Sequence, residues 1–153
     1  MRYVEAPEIY NSSDGELSLF LGGGITGCAP WRAKVIDVLK ETDLVLLNPE
    51  RKDFDVSDKL MSSDQIRWEF DHLRKSSGIL FWFCAETLCP ITLYELGAWS
   101  MTSIPLFVGC HPNYKRFFDI SIQTALVRPE LWIVSSLELL ITQVLNWARV
   151  SSQ

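Results

Sequence analysis

A doubly wound α/β fold, flavodoxin-like or Rossmann-like, with a five-stranded parallel sheet, is what the sequence predicts, on three observations. Short apolar runs alternate with segments of helical periodicity, the order expected of βαβ units. The first strong run, residues 17–21 (LSLFL), passes directly into the glycine-rich turn at 22–27 (GGGITG). A later run, residues 78–85, is apolar throughout, which suits a strand at the sheet centre covered on both faces.

A chain of 153 residues buries roughly 70% of its unfolded surface in one core. One domain is therefore expected, at 16–153, preceded by a loose arm over 1–15 that ends in NSSDG. After the strand at 17–21, Pro30 opens a helix carrying Trp31, Val35, Ile36, Val38 and Leu39 at helical spacing. Residues 44–47 (LVLL) form the second strand, closed by Asn48 and Pro49, and the charged, aperiodic residues 50–61 read as a surface loop. Ser62 and Gln65 make a capping-box pattern, and Ile66, Phe70 and Leu73 are the buried stripe of the helix it opens. The third strand is 78–85. Thr92 and Glu95 repeat the capping spacing before a helix with Leu96, Trp99 and Ser100. A fourth strand at 104–108, a helix from about 117 to 126, a fifth strand at 131–134 and a last helix at 137–150 complete the chain.

Fourteen Lys and Arg against 19 Asp and Glu give a net charge of −5, with no basic block longer than a pair. The phosphate-neutralising footprint of a nucleic-acid binder is missing, so no polymeric nucleic acid is expected as partner. A free nucleoside or nucleotide is not excluded, because a few local groups hold a small ligand. No segment is apolar enough to span a bilayer, no leader is recognisable, and the reading is a cytoplasmic protein with no membrane partner. Cys28, Cys84, Cys89 and Cys110 form no C-x-x-C pair, and only His72 and His111 could join them, so neither a metal site nor a disulfide is suggested.

In a doubly wound sheet the ligand lies beyond the carboxyl ends of the strands, near the switch in strand order. That rule selects residues 22–27, 48–51, 86–95 and 109–114. The glycines admit close approach of backbone to ligand, but their spacing is neither G-x-G-x-x-G nor a P-loop, and a tight structural turn explains them equally well. Glu95 reads either as a carboxylate serving a reaction or as the closing member of its capping box. On the helix before the third strand, Gln65, Trp68, Glu69 and His72 share one flank. Glu69 is the candidate acid there, Asp71 lies on another side, and His72 is not read as the catalytic base.

Together FLGGGI at 20–25, Trp31, NPER at 48–51, QIRWE at 65–69, ILFW at 79–82 and ITLYELGAW at 91–99 resemble the nucleoside 2-deoxyribosyltransferase-like proteins, in the family's order. The resemblance runs from about residue 17 to 114 and implies cleavage of N-glycosidic bonds. In the family the glutamate of the Tyr-Glu-Leu-Gly segment attacks C1′ of a 2′-deoxynucleoside, which places the nucleophile at Glu95. An acid on the preceding helix assists the departing base, a role that falls on Glu69, with Asp71 as the fallback. Gly22, Gly23, Gly24 and Ile25 would pack against sugar and base, and Trp31 and Tyr94 would stack on the base or simply pack. Six residues before the nucleophile, where relatives carry Asp or Ser for the 5′ group, this chain has Cys89, so Glu86, Thr87 or Thr92 would take over that contact. Neither metal nor redox cofactor is required. The implied partners are a small-molecule deoxynucleoside, a free nucleobase and further copies of the chain, with Trp132 and Trp147 available to an interface. A hydrolase of deoxynucleoside 5′-monophosphates and a non-catalytic nucleotide-binding module are the alternatives.

Overall fold

A computed structural model describes residues 1–55 and 57–151. Val56, within the expected surface loop, and residues 152–153, at the end of the expected domain, lie outside the described residues. The elements are β1 (Arg2–Glu5), β2 (Ser18–Gly23), α1 (Trp31–Leu39), β3 (Val45–Asn48), α2 (Lys59–Lys75), β4 (Gly78–Phe83), α3 (Pro90–Ser100), β5 (Leu106–Cys110), α4 (Phe117–Val127) and α5 (Leu137–Ser151). The sheet is parallel throughout, in the order β1-β3-β2-β4-β5. From β2 the chain steps to β3 on one side, then crosses through α2 to β4 on the other. The expected doubly wound α/β class is therefore what the chain adopts, with its switch point between β2 and β4.

All six residues of β4 are buried, as an interior strand covered on both faces requires. Phe20, Phe81 and Phe83 are among the largest side chains sealed in the core. α2 lies against β2 and α3 against β4, while α5 packs on β4 and β5 and touches α1.

The fifth strand is not where the sequence suggests. Of residues 131–134, only Val134 joins the sheet, in an isolated bridge to Gly109. Val134 is buried while Trp132 is 79% exposed, so the segment touches β5 at one point before turning into α5. Trp147 packs against Phe107, ring centroids 5.3 Å apart, inside the fold.

Residues 2–5 supply the fifth strand instead, and the arm expected to be loose is docked. β1 pairs along the whole of β3, and the Ala6 N–H continues the ladder by donating to the Asn48 carbonyl at 3.0 Å. Tyr10 is fully buried, its N–H donating to His72 Nε2 at 3.0 Å, while Trp68 Nε1 donates to the Glu8 carbonyl at 2.7 Å. With Nε2 accepting, His72 is held as the tautomer whose Nδ1–H donates to the Trp68 carbonyl, and burial pushes its pKa down.

These anchors explain a second departure. α2 turns Gln65, Trp68, His72 and Leu73 inward, whereas Ile66 and Phe70 of the expected buried stripe are 65% and 59% exposed. Hydrogen bonds from Tyr10 to His72, from Trp68 to Glu8 and from Gln65 Nε2 to Pro49 hold the polar members of the inward face, while Gln65 Oε1 is buried without a partner among the described residues. The helix also starts earlier than its capping-box pattern suggests: Asp58 is the N-cap and accepts from the Leu60 and Met61 N–H groups.

His72→Ala leaves the buried Tyr10 N–H without an acceptor and removes the ring stacked on Trp68 at 3.8 Å. A loss of roughly 2–4 kcal/mol is expected from denaturant unfolding. A variant that keeps wild-type stability would show the segment to be held by other contacts.

Candidate active site

At the carboxyl ends of β2 and β4, where the strand order reverses, a cleft of about 270 Å³ opens between the glycine turn, α2 and the N-terminal half of α3. Its walls include Gly22, Gly23, Gly24 and Ile25, with Thr92 and the two acids Glu69 and Glu95. Seven of the residues singled out in the sequence thus meet in one place. Four do not line it: Trp31 is buried beneath the turn, Glu86 and Asp71 are exposed, and Tyr94 is 78% exposed on the neighbouring groove between α2 and α3.

The triple glycine is both a structural turn and a cleft wall. Gly23 has φ 155°, and a Cβ there would come within 2.7 Å of the Trp82 carbonyl as well as meeting the Trp31 ring. A Cβ on Gly22 would lie 2.7 Å from the Phe81 ring. Larger residues would push the turn off β4 and into the cleft.

Beneath the turn sits Arg32, which sequence reasoning passed over. It is 2% exposed and donates to the carbonyls of Leu21 at 3.1 Å, Gly23 at 2.9 Å and Gly24 at 3.0 Å. Trp31 Nε1 adds a second donor to the Gly24 carbonyl at 3.0 Å, so Trp31 packs and anchors rather than stacking on a ligand. Burial pulls the Arg32 pKa down to about 10, and the charges of Glu50, Glu69 and Glu95 oppose that fall, so the group stays a cation at neutral pH. A signal was present: Arg32, Val35 and Leu39 fall on one buried helical stripe, a position where a charged residue demands partners.

Glu95 is not a capping residue. α3 begins at Pro90 with Cys89 as N-cap, and Glu95 accepts no hydrogen bond from a described residue. Its carboxylate is turned to the cleft, where burial, followed by the like charge of Glu69, pushes its pKa up to about 8 against the pull of Arg32. Burial also raises the pKa of Glu69, opposed by Gln65 Nε2, which donates to Glu69 Oε1 at 2.9 Å and to the Pro49 carbonyl at 2.7 Å. Below about pH 8 the pair holds at least one proton between two carboxyl groups, the state in which one can act as base or nucleophile and the other as acid.

The sequence profile of proteins described as nucleoside 2-deoxyribosyltransferase like matches residues 16–114. The chain belongs to this family. The matched stretch runs from the approach to β2 to just beyond β5 and contains every residue that lines the cleft. β1, α4 and α5 lie outside it. Membership in the nucleoside 2-deoxyribosyltransferase-like family supports an enzyme acting on nucleosides, with a related glycosyl-transfer function. Among curated proteins, none matches the chain significantly. No described helix is long and apolar enough to cross a membrane.

The expectation that the cysteines form no disulfide is overturned: Cys28 and Cys84 are bonded. They are 56 residues apart, with no local spacing to reveal them, and the parallel pairing of β2 with β4 brings the loop after one strand onto the end of the other. Cys89 lines the cleft, and its thiol donates to the Thr87 carbonyl at 3.6 Å.

The electrostatics carry a sign that can be measured. Between pH of about 4.5 and about 8 the native chain holds a proton on Glu95 that the unfolded chain releases, so stability falls as pH rises through this window. Glu95→Gln removes that dependence. It should unfold at higher denaturant than the wild type, by roughly 1–3 kcal/mol near pH 8 and by progressively less toward pH 5.

Proposed function

We propose that this protein breaks the N-glycosidic bond of 2′-deoxynucleosides and passes the deoxyribose to a second nucleobase through a deoxyribosyl-Glu95 ester. The observation that supports it most is the pair of carboxyl groups, Glu95 and Glu69, which face one cleft from two helices beside a backbone-walled turn, both with pKa values raised by burial. The proton of the pair rests mainly on Glu95; when it passes to Glu69, ionised Glu95 attacks C1′, and the bond to the base nitrogen breaks through an oxocarbenium-like transition state. Protonated Glu69, or water held by it, gives its proton to the departing base. A second base then takes C1′ from the ester and gives its N–H proton to Glu69, which regenerates both acids. Arg32 stabilises negative charge at the two acids and holds the turn against which the sugar would rest. Thr87 and Thr92 line the cleft, as does Thr26 of the glycine turn, and offer hydroxyls to the 5′ group, while Glu86 lies outside it.

A hydrolase of 5′-monophosphates is the second reading, and the cleft disfavours it. None of the residues lining it is basic, and the nearby guanidinium is committed to three carbonyls. A homo-oligomer remains part of the proposal. Ile66, Phe70, Ile91 and Tyr94 form an exposed apolar groove that shares Glu69 and Glu95 with the cleft, a surface a second copy would cover. A fully active monomer by light scattering would remove that part.

The test is a chromatographic assay of wild type and Glu95→Ala with deoxynucleosides and their monophosphates, each with and without a free base. New nucleoside formed by wild type alone supports transfer; free base without exchange indicates the hydrolase; no turnover leaves a binding module. If Glu69 supplies the proton, kcat/KM falls above about pH 8 as the pair loses its last proton, and Glu69→Gln abolishes that limb while lowering the rate by roughly 10²–10⁴. A rate that instead climbs through pH 8 would show Glu95 ionising alone, with no proton taken from Glu69.

A further inference from the structure

Behind the glycine turn, three sulfur atoms converge. Those of Cys28, Cys84 and Cys89 all lie within 4.8 Å of one another, with Cys84 Sγ and Cys89 Sγ 3.8 Å apart. Each comes from a different piece of the cleft's frame: Cys28 from the β2–α1 connection, Cys84 from the end of β4, and Cys89 from the N-cap of α3. Cys89 holds a left-handed conformation, φ 47°, that non-glycine residues rarely adopt, and its thiol is buried in the cluster. The space between the sulfurs exists because residue 24 is glycine. A Cβ there would overlap Cys28 Sγ and come within 2.8 Å of Cys89 Sγ and 3.2 Å of Cys84 Sγ.

Two kinds of chemistry use three close sulfurs, and the geometry separates them. Thiol–disulfide exchange needs the attacking sulfur opposite the leaving one, so three sulfurs in a row would span roughly 5.8 Å for a 3.8 Å approach and an ordinary S–S bond of about 2.0 Å. Here no pair is farther apart than 4.8 Å, so the three form a triangle. Sulfurs bound at about 2.3 Å to a tetrahedral ion stand roughly 3.8 Å apart, the separation that Cys84 Sγ and Cys89 Sγ already have, and reduction frees Cys28 Sγ from its bond to Cys84 to take a third corner. Thiolates alone, without imidazole or carboxylate, select a soft d¹⁰ cation.

We propose that, once the Cys28–Cys84 disulfide is reduced, the thiolates of Cys28, Cys84 and Cys89 bind one thiophilic d¹⁰ cation, Zn²⁺ by charge. A dithiol reductant gives two electrons and two protons to the disulfide and becomes a disulfide itself, or a phosphine gives two electrons and takes the oxygen of a water whose two protons go to the new thiols; as the ion binds, the three thiols release three protons to solvent. Three thiolates and Zn²⁺ leave one negative charge, which the buried Arg32 cation, already acting on Cys89, offsets. No fourth His, Cys, Asp or Glu among the described residues joins the cluster, so water completes the tetrahedron. The ion would clamp the turn that walls the cleft to the start of the helix that carries Glu95. The site does not depend on the glycosyl-transfer reading.

Purified chain is reduced with a phosphine, desalted without oxygen, and titrated with Zn²⁺ against a chromogenic chelator. Wild type should withdraw one equivalent, and the unreduced chain none. Cys28→Ser, Cys84→Ser, Cys89→Ser and the cradle-filling Gly24→Ala should each weaken binding at least tenfold, while Cys110→Ser, outside the triangle, should not. X-ray absorption on the wild-type zinc complex needs no variant to fold and should count three sulfurs at about 2.3 Å. Reduced wild type that leaves all Zn²⁺ to the chelator, Cys89→Ser that binds as tightly as wild type, or a count of two sulfurs or fewer would each overturn the proposal.

Discussion

A single guanidinium, that of Arg32, lies under everything the cleft does. Removing an arginine from water is costly, and the cost is tolerable only where its N–H groups are used. Here they meet the carbonyls of Leu21, Gly23 and Gly24, within residues 21–24, where β2 has ceased to pair with β3 and starts to turn. The hydrogen bonds that β2 would otherwise make to a continuing strand are replaced by bonds to a side chain from α1. The turn can therefore leave the sheet and present its other side to the cleft without orphaned carbonyls. The same cation is the positive charge that keeps two buried carboxyl groups within reach of ionisation.

The site is consequently held in electrostatic tension. Burial favours the neutral form of Glu95 and Glu69, each ionised acid disfavours the other, and Arg32 favours ionisation. One buried guanidinium beside two acids leaves the pair responsive near neutral pH, at the expense of native stability, a common trade at working sites.

Much of this was legible in the sequence, and what was not has physical causes. Strand runs such as residues 17–21 and 78–85 are readable because interior parallel strands must be apolar on both faces, and the switch-point rule then places the cleft. Glu69 and Glu95 were reachable because both sit at fixed offsets from those strands. The arm at 1–15 misled because an edge strand of four residues carries little periodicity; its place is set by His72 and Trp68, sixty residues on. The buried stripe of α2 misled for a related reason. Apolar content marks Ile66 and Phe70 as inward, but the helix turns His72 to Tyr10, Trp68 to Glu8 and Gln65 Nε2 to Pro49, and long-range hydrogen bonds outrank a local pattern. Capping boxes misled twice because Asp58 and Cys89 start their helices four and three residues ahead of the serine and threonine that looked like caps.

The displaced start of α3 has a consequence for the chemistry. Were Glu95 third in the helix, as its spacing from Thr92 suggests, its carboxylate would fold back onto a free backbone N–H and the helix dipole would favour its charge. Three further helical residues at the N-terminus, with Pro90 first, carry Glu95 past that turn. Its oxygens then have neither the backbone donor nor the strongest part of the dipole, and face the cleft with only a distant cation for support. A carboxylate so poorly stabilised is a better nucleophile than a capping one, because little has to be given up when it bonds to carbon. The three added helical residues, Pro90 to Thr92, thus move Glu95 out of the capping position, and the N-cap ahead of them, Cys89, brings its sulfur against the glycine turn opposite.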